Sequence, residues 1–210
     1  MPVNHDTHQL VGKALRCERG GRLLFENLEF SLASGQAMII NGCNGAGKTS
    51  LLRIITGLSQ PAEGEVLWDQ NNIESIPEQY QEQLLYIGHL PAVKTELTVR
   101  ENLQLLKRFW PSDAACSIAE LADYVGLRKR LSVTCSRLSA GQLRRVSLAR
   151  LFISTQKLWI LDEPLTALDV DFIITVEKCL QKHLQAGGLA ILTTHRGIEL
   201  GDQKSFILNL

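Results

Sequence analysis

The chain has 210 residues, 45% hydrophobic and 21% charged, which is enough for one domain with a real core. Lys and Arg together number 22, and so do Asp and Glu, which argues against the broad basic surface of a dedicated nucleic-acid binder. Five scattered cysteines without a C-x-x-C pair weigh against a disulfide framework or a zinc site and fit a reducing cytoplasm.

Residues 1–7 read as a polar terminus, without the basic-then-apolar order of a signal peptide. No apolar run reaches the roughly 20 residues that span a bilayer, so any spans at a membrane must come from another chain. Short apolar pieces from Leu10 to Leu32, with the turn Arg19-Gly20-Gly21-Arg22, predict strands of a small β layer. After a turn at Ser34-Gly35, Ala37 to Asn41 predicts a short strand. A glycine loop follows it, and a helix then opens at Thr49 and ends at Gly57 and Pro61. Glu65 to Trp68 reads as a strand before an Asp69-Gln70-Asn71-Asn72 turn.

From about Thr98 to Arg137 the pattern is helical and charged. Thr98 and Glu101 have capping-box spacing, Pro111-Ser112-Asp113 should break that helix, and a second should run on to Val125. Continuous apolar runs at Leu158–Leu161 and Leu189–Thr194 suit strands covered on both faces, as in a parallel α/β sheet. Between them Val170 to Gln185 is a helix ending at Gly187-Gly188, and Phe206 to Leu208 is a last strand.

Gly42-Cys43-Asn44-Gly45-Ala46-Gly47-Lys48-Thr49, followed by Ser50, fits G-x-x-x-x-G-K-[ST] in full. Glycines let successive backbone N–H groups turn toward one anion, and the helix start adds its positive end. Lys48 supplies a cation for the β and γ phosphates, and the Thr49 hydroxyl is a hard oxygen ligand for Mg²⁺. Cys43 is either a thiol activated by this positive loop or a small filler. The run ending in Asp162-Glu163 delivers two carboxylates to the end of a strand, where open α/β sheets bind ligands. Asp162 is placed to hold the Mg²⁺ hydration shell, and Glu163 to accept a proton from an attacking water. Ser139 and Gln142 have capping-box spacing around Ala140 and Gly141, and such a helix start suits a γ-phosphate as well as its own backbone.

Together these segments resemble an ATP-binding cassette (ABC) ATPase across almost the whole chain. "GCNGAGKT" matches the Walker A motif, "LSAGQ" the signature, "LWILDE" the Walker B, "ALD" the D-loop and "TTH" the switch histidine. The resemblance implies a P-loop NTPase of α/β class over residues 1–210. Its parts would be a RecA-like parallel-sheet core, an N-terminal antiparallel β layer and a helical subdomain inserted at about residues 90–150. It further implies ATP and Mg²⁺ as ligands, and a head-to-tail dimer in which each ATP lies between the Walker A of one copy and the signature of the other. Ser139, Ala140, Gly141 and Gln142 would then meet the γ-phosphate in trans, Asp169 would lie at the dimer interface, and His195 would orient phosphate and water.

Two positions depart from the usual cassette. His89 stands where the Q-loop glutamine is expected, and imidazole suits Mg²⁺ poorly, so a water-mediated or partner-coupling role is the alternative to direct contact. Arg19 stands where an aromatic ring would stack on adenine; it is either a stacking guanidinium or a solvated turn charge. Within the family, "LLYIGH", the "SAGQ" variant and the short end after "GGLAILTTH" are similar to the ATPase subunits of bacterial cytochrome c maturation haem exporters. That similarity implies a minimal cassette, peripheral on the cytoplasmic face of the inner membrane, working with multi-span partners and meeting haem only indirectly. There is neither a Cys-Pro pair nor C-x-x-C-H. An ATPase for another exporter and a soluble non-transport cassette stay open; the single copy and zero net charge weigh against the second.

Overall fold

Gly20 and Gly21 have φ of 57° and 73°, the left-handed pair that a two-residue hairpin turn demands. They join β1 (Gln9–Arg19) to β2 (Arg22–Ala33). The pieces expected to be short are thus two long antiparallel strands, of 11 and 12 residues. Register shifts between Gly12 and Leu15, with Ala14 and Asn27 both left-handed, let the pair bend around its buried face. The computed structural model describes residues 7–109 and 116–210.

β3 (Gln36–Asn41) runs into the glycine loop, and α1 (Lys48–Ile55) leaves it. β4 (Glu63–Trp68) pairs antiparallel with β1. The four-residue turn expected after Trp68 is a two-residue one. Asp69 and Gln70 take φ of 49° and 67°, and Asn71–Asn72 turn back as β5 against β4. The first sheet therefore has the order β2-β1-β4-β5. After α2 (Pro77–Gln83) come β6 (Leu84–Ile87), β7 (Leu158–Asp162), β8 (Leu189–Thr193) and β9 (Lys204–Asn209). They form the second sheet with β3, in the order β6-β7-β8-β3-β9, and β7, β8, β3 and β9 pair in parallel.

Every residue of β7 and β8 is buried, as continuous apolar runs in a parallel sheet require. Helix α1 buries Leu51, Leu52, Ile54 and Ile55 in one cluster with Leu10, Leu32 and Trp68 of the first sheet and Ile40, Ile160 and Ile191 of the second. Each such side chain contributes about 1.5–3 kcal/mol over an exposed one, so this small helix is held by its apolar face rather than by its eight residues of backbone. Tyr80 of α2 reinforces it, donating its buried hydroxyl to the Ile55 carbonyl at 2.7 Å. All of this belongs to one compact unit, formed by Met1–Tyr86, Gln156–Asp162 and Leu180–Leu210.

The second unit comprises Ile87–Thr155 and Glu163–Cys179 and is mainly helical. α3 (Val99–Phe109) starts at the capping box read from the sequence: Glu101 N–H donates to Thr98 Oγ1, and Thr98 N–H to the Glu101 carboxylate. Pro111, Ser112 and Asp113 lie outside the described residues. The helix expected to run on from them is α4 (Ile118–Tyr124), which begins later, at a Ser117–Glu120 capping box. α5 (Ala140–Leu148) begins at a third such box, Ser139 with Gln142. α6 (Val170–Gln185) is capped by Asp169, whose carboxylate accepts from Phe172 N–H at 3.0 Å.

Candidate functional site

In the first unit, the ends of β3, β7 and β8 lie side by side and carry the polar groups. The glycine loop bends through Gly45 and Gly47, with φ of 82° and 108°. A Cβ on Gly47 would sit 3.2 Å from Leu24 and 3.3 Å from the Phe25 ring, so glycine there serves packing as well as conformation. Lys48 is nearly buried, and its ammonium donates to the carbonyls of Gly42 at 2.6 Å and Cys43 at 3.2 Å. That arrangement holds the cation over the loop. Cys43, Asn44 and Gly45 are exposed, Ala46 and Ser50 half-buried.

The Thr49 hydroxyl donates to the Asp162 carboxylate at 3.1 Å, and the other carboxylate oxygen accepts from Thr193 at 2.8 Å. Sequence reasoning missed Thr193, a fully buried hydroxyl in an apolar strand. Its polarity amid Leu189–Leu192 was the available signal. Thr49 and Asp162 together present two hard oxygens, the donor chemistry that suits Mg²⁺. Among the described residues no group of three His, Cys, Asp or Glu could hold a metal, so an ion here would draw most ligands from water and phosphate. His195 is exposed just past β8, beside a tight turn in which Thr194 Oγ1 accepts from Arg196 N–H at 3.1 Å. Arg19 is exposed at the tip of the β1–β2 hairpin. Behind β7, Trp159 stacks on His183 of α6 with ring centroids 3.8 Å apart. Burial pushes His183 down to about 4, against the opposing pull of the Leu189 carbonyl.

The second unit gathers the remaining residues. Ser139 and Ala140 are exposed at the start of α5, and Gly141 is half-buried there. A Cβ on Gly141 would lie 2.5 Å from the Ala167 carbonyl oxygen, so that close approach requires glycine. Asp169 forms an ion pair with Arg145, whose guanidinium also lies 4.5 Å from the centre of the Phe172 ring. The Phe172 N–H and then Arg145 hold the Asp169 carboxyl below its usual range. Glu163 adopts φ of 47°, unusual for a residue with a side chain, and Thr166 Oγ1 donates to its carboxylate at 3.3 Å. His89 is exposed, and its carbonyl accepts from buried Arg144. Neither Arg144 nor Arg145 was singled out from the sequence; two adjacent arginines inside an apolar helical stretch were the signal.

A parallel sheet whose first strand enters a glycine loop, with a lysine and a threonine at the head of the next helix, defines a P-loop nucleotide-binding fold. Residues 25–166 match the family described as ABC transporter. The chain is 45% identical over 195 residues to the cytochrome c biogenesis ATP-binding export protein CcmA of Shigella flexneri, and 44% to its namesake in Escherichia coli strain K12. In both cases 93% of each chain is covered. It also resembles a solved ATP-binding subunit of an ABC transporter, with TM-score 0.78 and 28% identity over 89% of this chain and 79% of that one. A bacterial Atm1-family ABC exporter with ATP bound shares the fold at TM-score 0.79 and 19% identity, covering 99% of this chain and 38% of that one. The chain belongs to the ABC transporter family, as an ATP-hydrolysing subunit.

Proposed function

We propose that this chain supplies ATP-driven work to a membrane complex for cytochrome c maturation, coupling hydrolysis to haem export or to release of a haem-loaded chaperone. The observation that carries this reading is the 44–45% identity, over nearly full length, to relatives named for that process. No helix among the described residues is long and apolar enough to cross a membrane, so the spans would belong to partner subunits and this chain would sit peripherally on the cytoplasmic face.

In this reading the glycine loop from Gly42 to Ser50 holds the phosphates through backbone N–H groups and Lys48. Thr49 and Asp162 would hold Mg²⁺, which when bound would offset the negative charge of the phosphates. Glu163 takes the proton from the attacking water, and His195 orients water and phosphate. A second copy completes each site with Ser139, Ala140, Gly141 and Gln142, and Asp169 lies where the copies meet. The inserted helical part, about residues 90–150, faces the partner subunits, with His89 at the junction.

Purification from native membranes in detergent tests the partnership, with mass spectrometry of what co-purifies. Multi-span cytochrome maturation proteins are expected; an unrelated permease would overturn the cargo assignment and leave the ATPase. For the chemistry, Glu163→Gln should bind ATP and form a stable ATP-bound dimer, with turnover lowered about 10²–10⁴-fold. Wild-type turnover in that variant would remove Glu163 from its role.

A further inference from the structure

Arg144 lies at the middle of α5, is 4% exposed, and carries a charge whose burial costs free energy that its hydrogen bonds must offset. Its guanidinium spans two stretches of backbone. Nη1 donates to the carbonyls of Gly88 at 2.8 Å and His89 at 3.3 Å, and Nη2 donates to the carbonyl of Glu163 at 2.8 Å. A second buried cation, Arg150, stands close by. Burial, and then the charge of Arg144, push Arg150 down to about 10. Burying two neighbouring cations carries a desolvation cost that an apolar helix position does not. Geometry is what an arginine adds: the separate nitrogens of its planar fork, with fixed donor directions, reach two distant stretches of backbone at once, whereas a lysine donates from a single point.

The carbonyls it grips matter because of what they belong to. Glu163 holds φ at 47°, a conformation that a side-chain-bearing residue keeps only when its surroundings impose it. The Arg144 hydrogen bond fixes the peptide that follows Glu163, and so the direction from which its carboxylate leaves the chain. Five residues before Arg144 stands Ser139, the cap of the same helix. Reciprocal Ser139–Gln142 bonds at 3.3 and 3.2 Å close the first turn of this nine-residue helix, so that Ser139 and Arg144 belong to one hydrogen-bonded element.

We propose that Arg144 is a positioning residue that ties the start of α5 to the backbone of Glu163, so that contact of Ser139 and Gly141 with one nucleotide governs hydrolysis of another by Glu163. This rests on the roles given above to Glu163 and the α5 start. In a head-to-tail pair, those two groups of one copy serve different ATP molecules, so Arg144 carries coupling between the two sites. It touches neither nucleotide.

The test compares the full chain with Arg144→Lys and Glu163→Gln. Turnover is followed against ATP concentration, and ATP affinity and thermal midpoint are measured on the same samples. Arg144→Lys is expected to bind ATP with unchanged affinity, to lose about 10- to 100-fold in kcat with little change in KM, and to lose sigmoidal ATP dependence. Unchanged kcat and sigmoidicity would overturn the inference, as would a wild-type curve without sigmoidicity. So would a kcat loss matched by an equal loss of ATP affinity, the mark of a merely structural residue. In Arg144→Ala, saturable recovery of turnover on adding methylguanidinium supports the role, and its failure in a chain that still binds ATP refutes it. Normal turnover in Glu163→Gln would instead overturn the underlying reading, whatever Arg144→Lys does.

Discussion

Replacing Gly141 with alanine would place a Cβ 2.5 Å from the carbonyl oxygen of Ala167. A carbon–oxygen contact relaxes at about 3.3–3.6 Å, so about 0.8–1.1 Å must open between the start of α5 and the loop before α6. Neither side yields readily. The obstacle is backbone, Ala167 already holds φ at 62°, and Asp169 is anchored by Arg145 and by the Phe172 N–H. Such overpacking costs about 1–3 kcal/mol. For a chain of this length it lowers the melting temperature by about 2–4 °C per kcal/mol. The functional cost is larger, because a displacement near 1 Å in a positioned group lowers turnover by about 10²-fold. ATP affinity of the single copy should stay at the wild-type value, since the glycine loop belongs to the other compact unit. Phosphate release at saturating ATP, a nucleotide titration and a melting curve decide the matter. Wild-type turnover in Gly141→Ala would refute the close approach as a functional constraint; a fall in affinity equal to the fall in turnover would refute the division of labour.

Two further substitutions probe the interior behind the site. Thr193→Val keeps the volume but removes the hydroxyl that bonds Asp162 at 2.8 Å. A bond to a charged group is worth about 1.5–3 kcal/mol, so the midpoint should fall by several degrees in calorimetry, and an unchanged midpoint would show that the bond contributes nothing. His183 is held neutral by burial, with its folded value at about 4 against an ordinary 6.5. Its contribution is therefore full above about pH 6.5 and is lost as pH falls toward 4, where the unfolded chain binds the proton first. At about 1.4 kcal/mol per pH unit this amounts to roughly 3 kcal/mol. His183→Gln should flatten the urea-unfolding free energy across that window, and parallel curves for the two proteins would assign the acid sensitivity elsewhere.

Local chemistry was legible where a residue's effect is felt within a few positions of itself. The three capping boxes at Thr98, Ser117 and Ser139 work through side-chain bonds to backbone three residues away, and the reading from sequence placed two of them. Helix α6 fell on its expected residues because its apolar spacing and the Gly187-Gly188 end act together. Strand β5 was hidden because Asn71 and Asn72 look like turn formers and are strand only through pairing with Trp68 and Leu67. Arg144 was hidden for a related reason. Its partners are carbonyls 19 and 55–56 positions away, and carbonyls carry no residue identity that a sequence could display.

Among the described residues β2 is the outermost strand of its sheet, 12 residues long, so one side of its backbone meets no strand of that sheet. Long open edges invite copies of a chain to add strand to strand and grow without limit. Glu26 and Glu29 stand exposed along this one, and the left-handed Asn27 between them interrupts the regular ladder. Like charges approaching a broken register make poor templates, so the same bulge that bends the β1–β2 pair also discourages self-association. With formal net charge zero, the chain gains no solubility from overall repulsion and depends on such placed charges to remain dispersed.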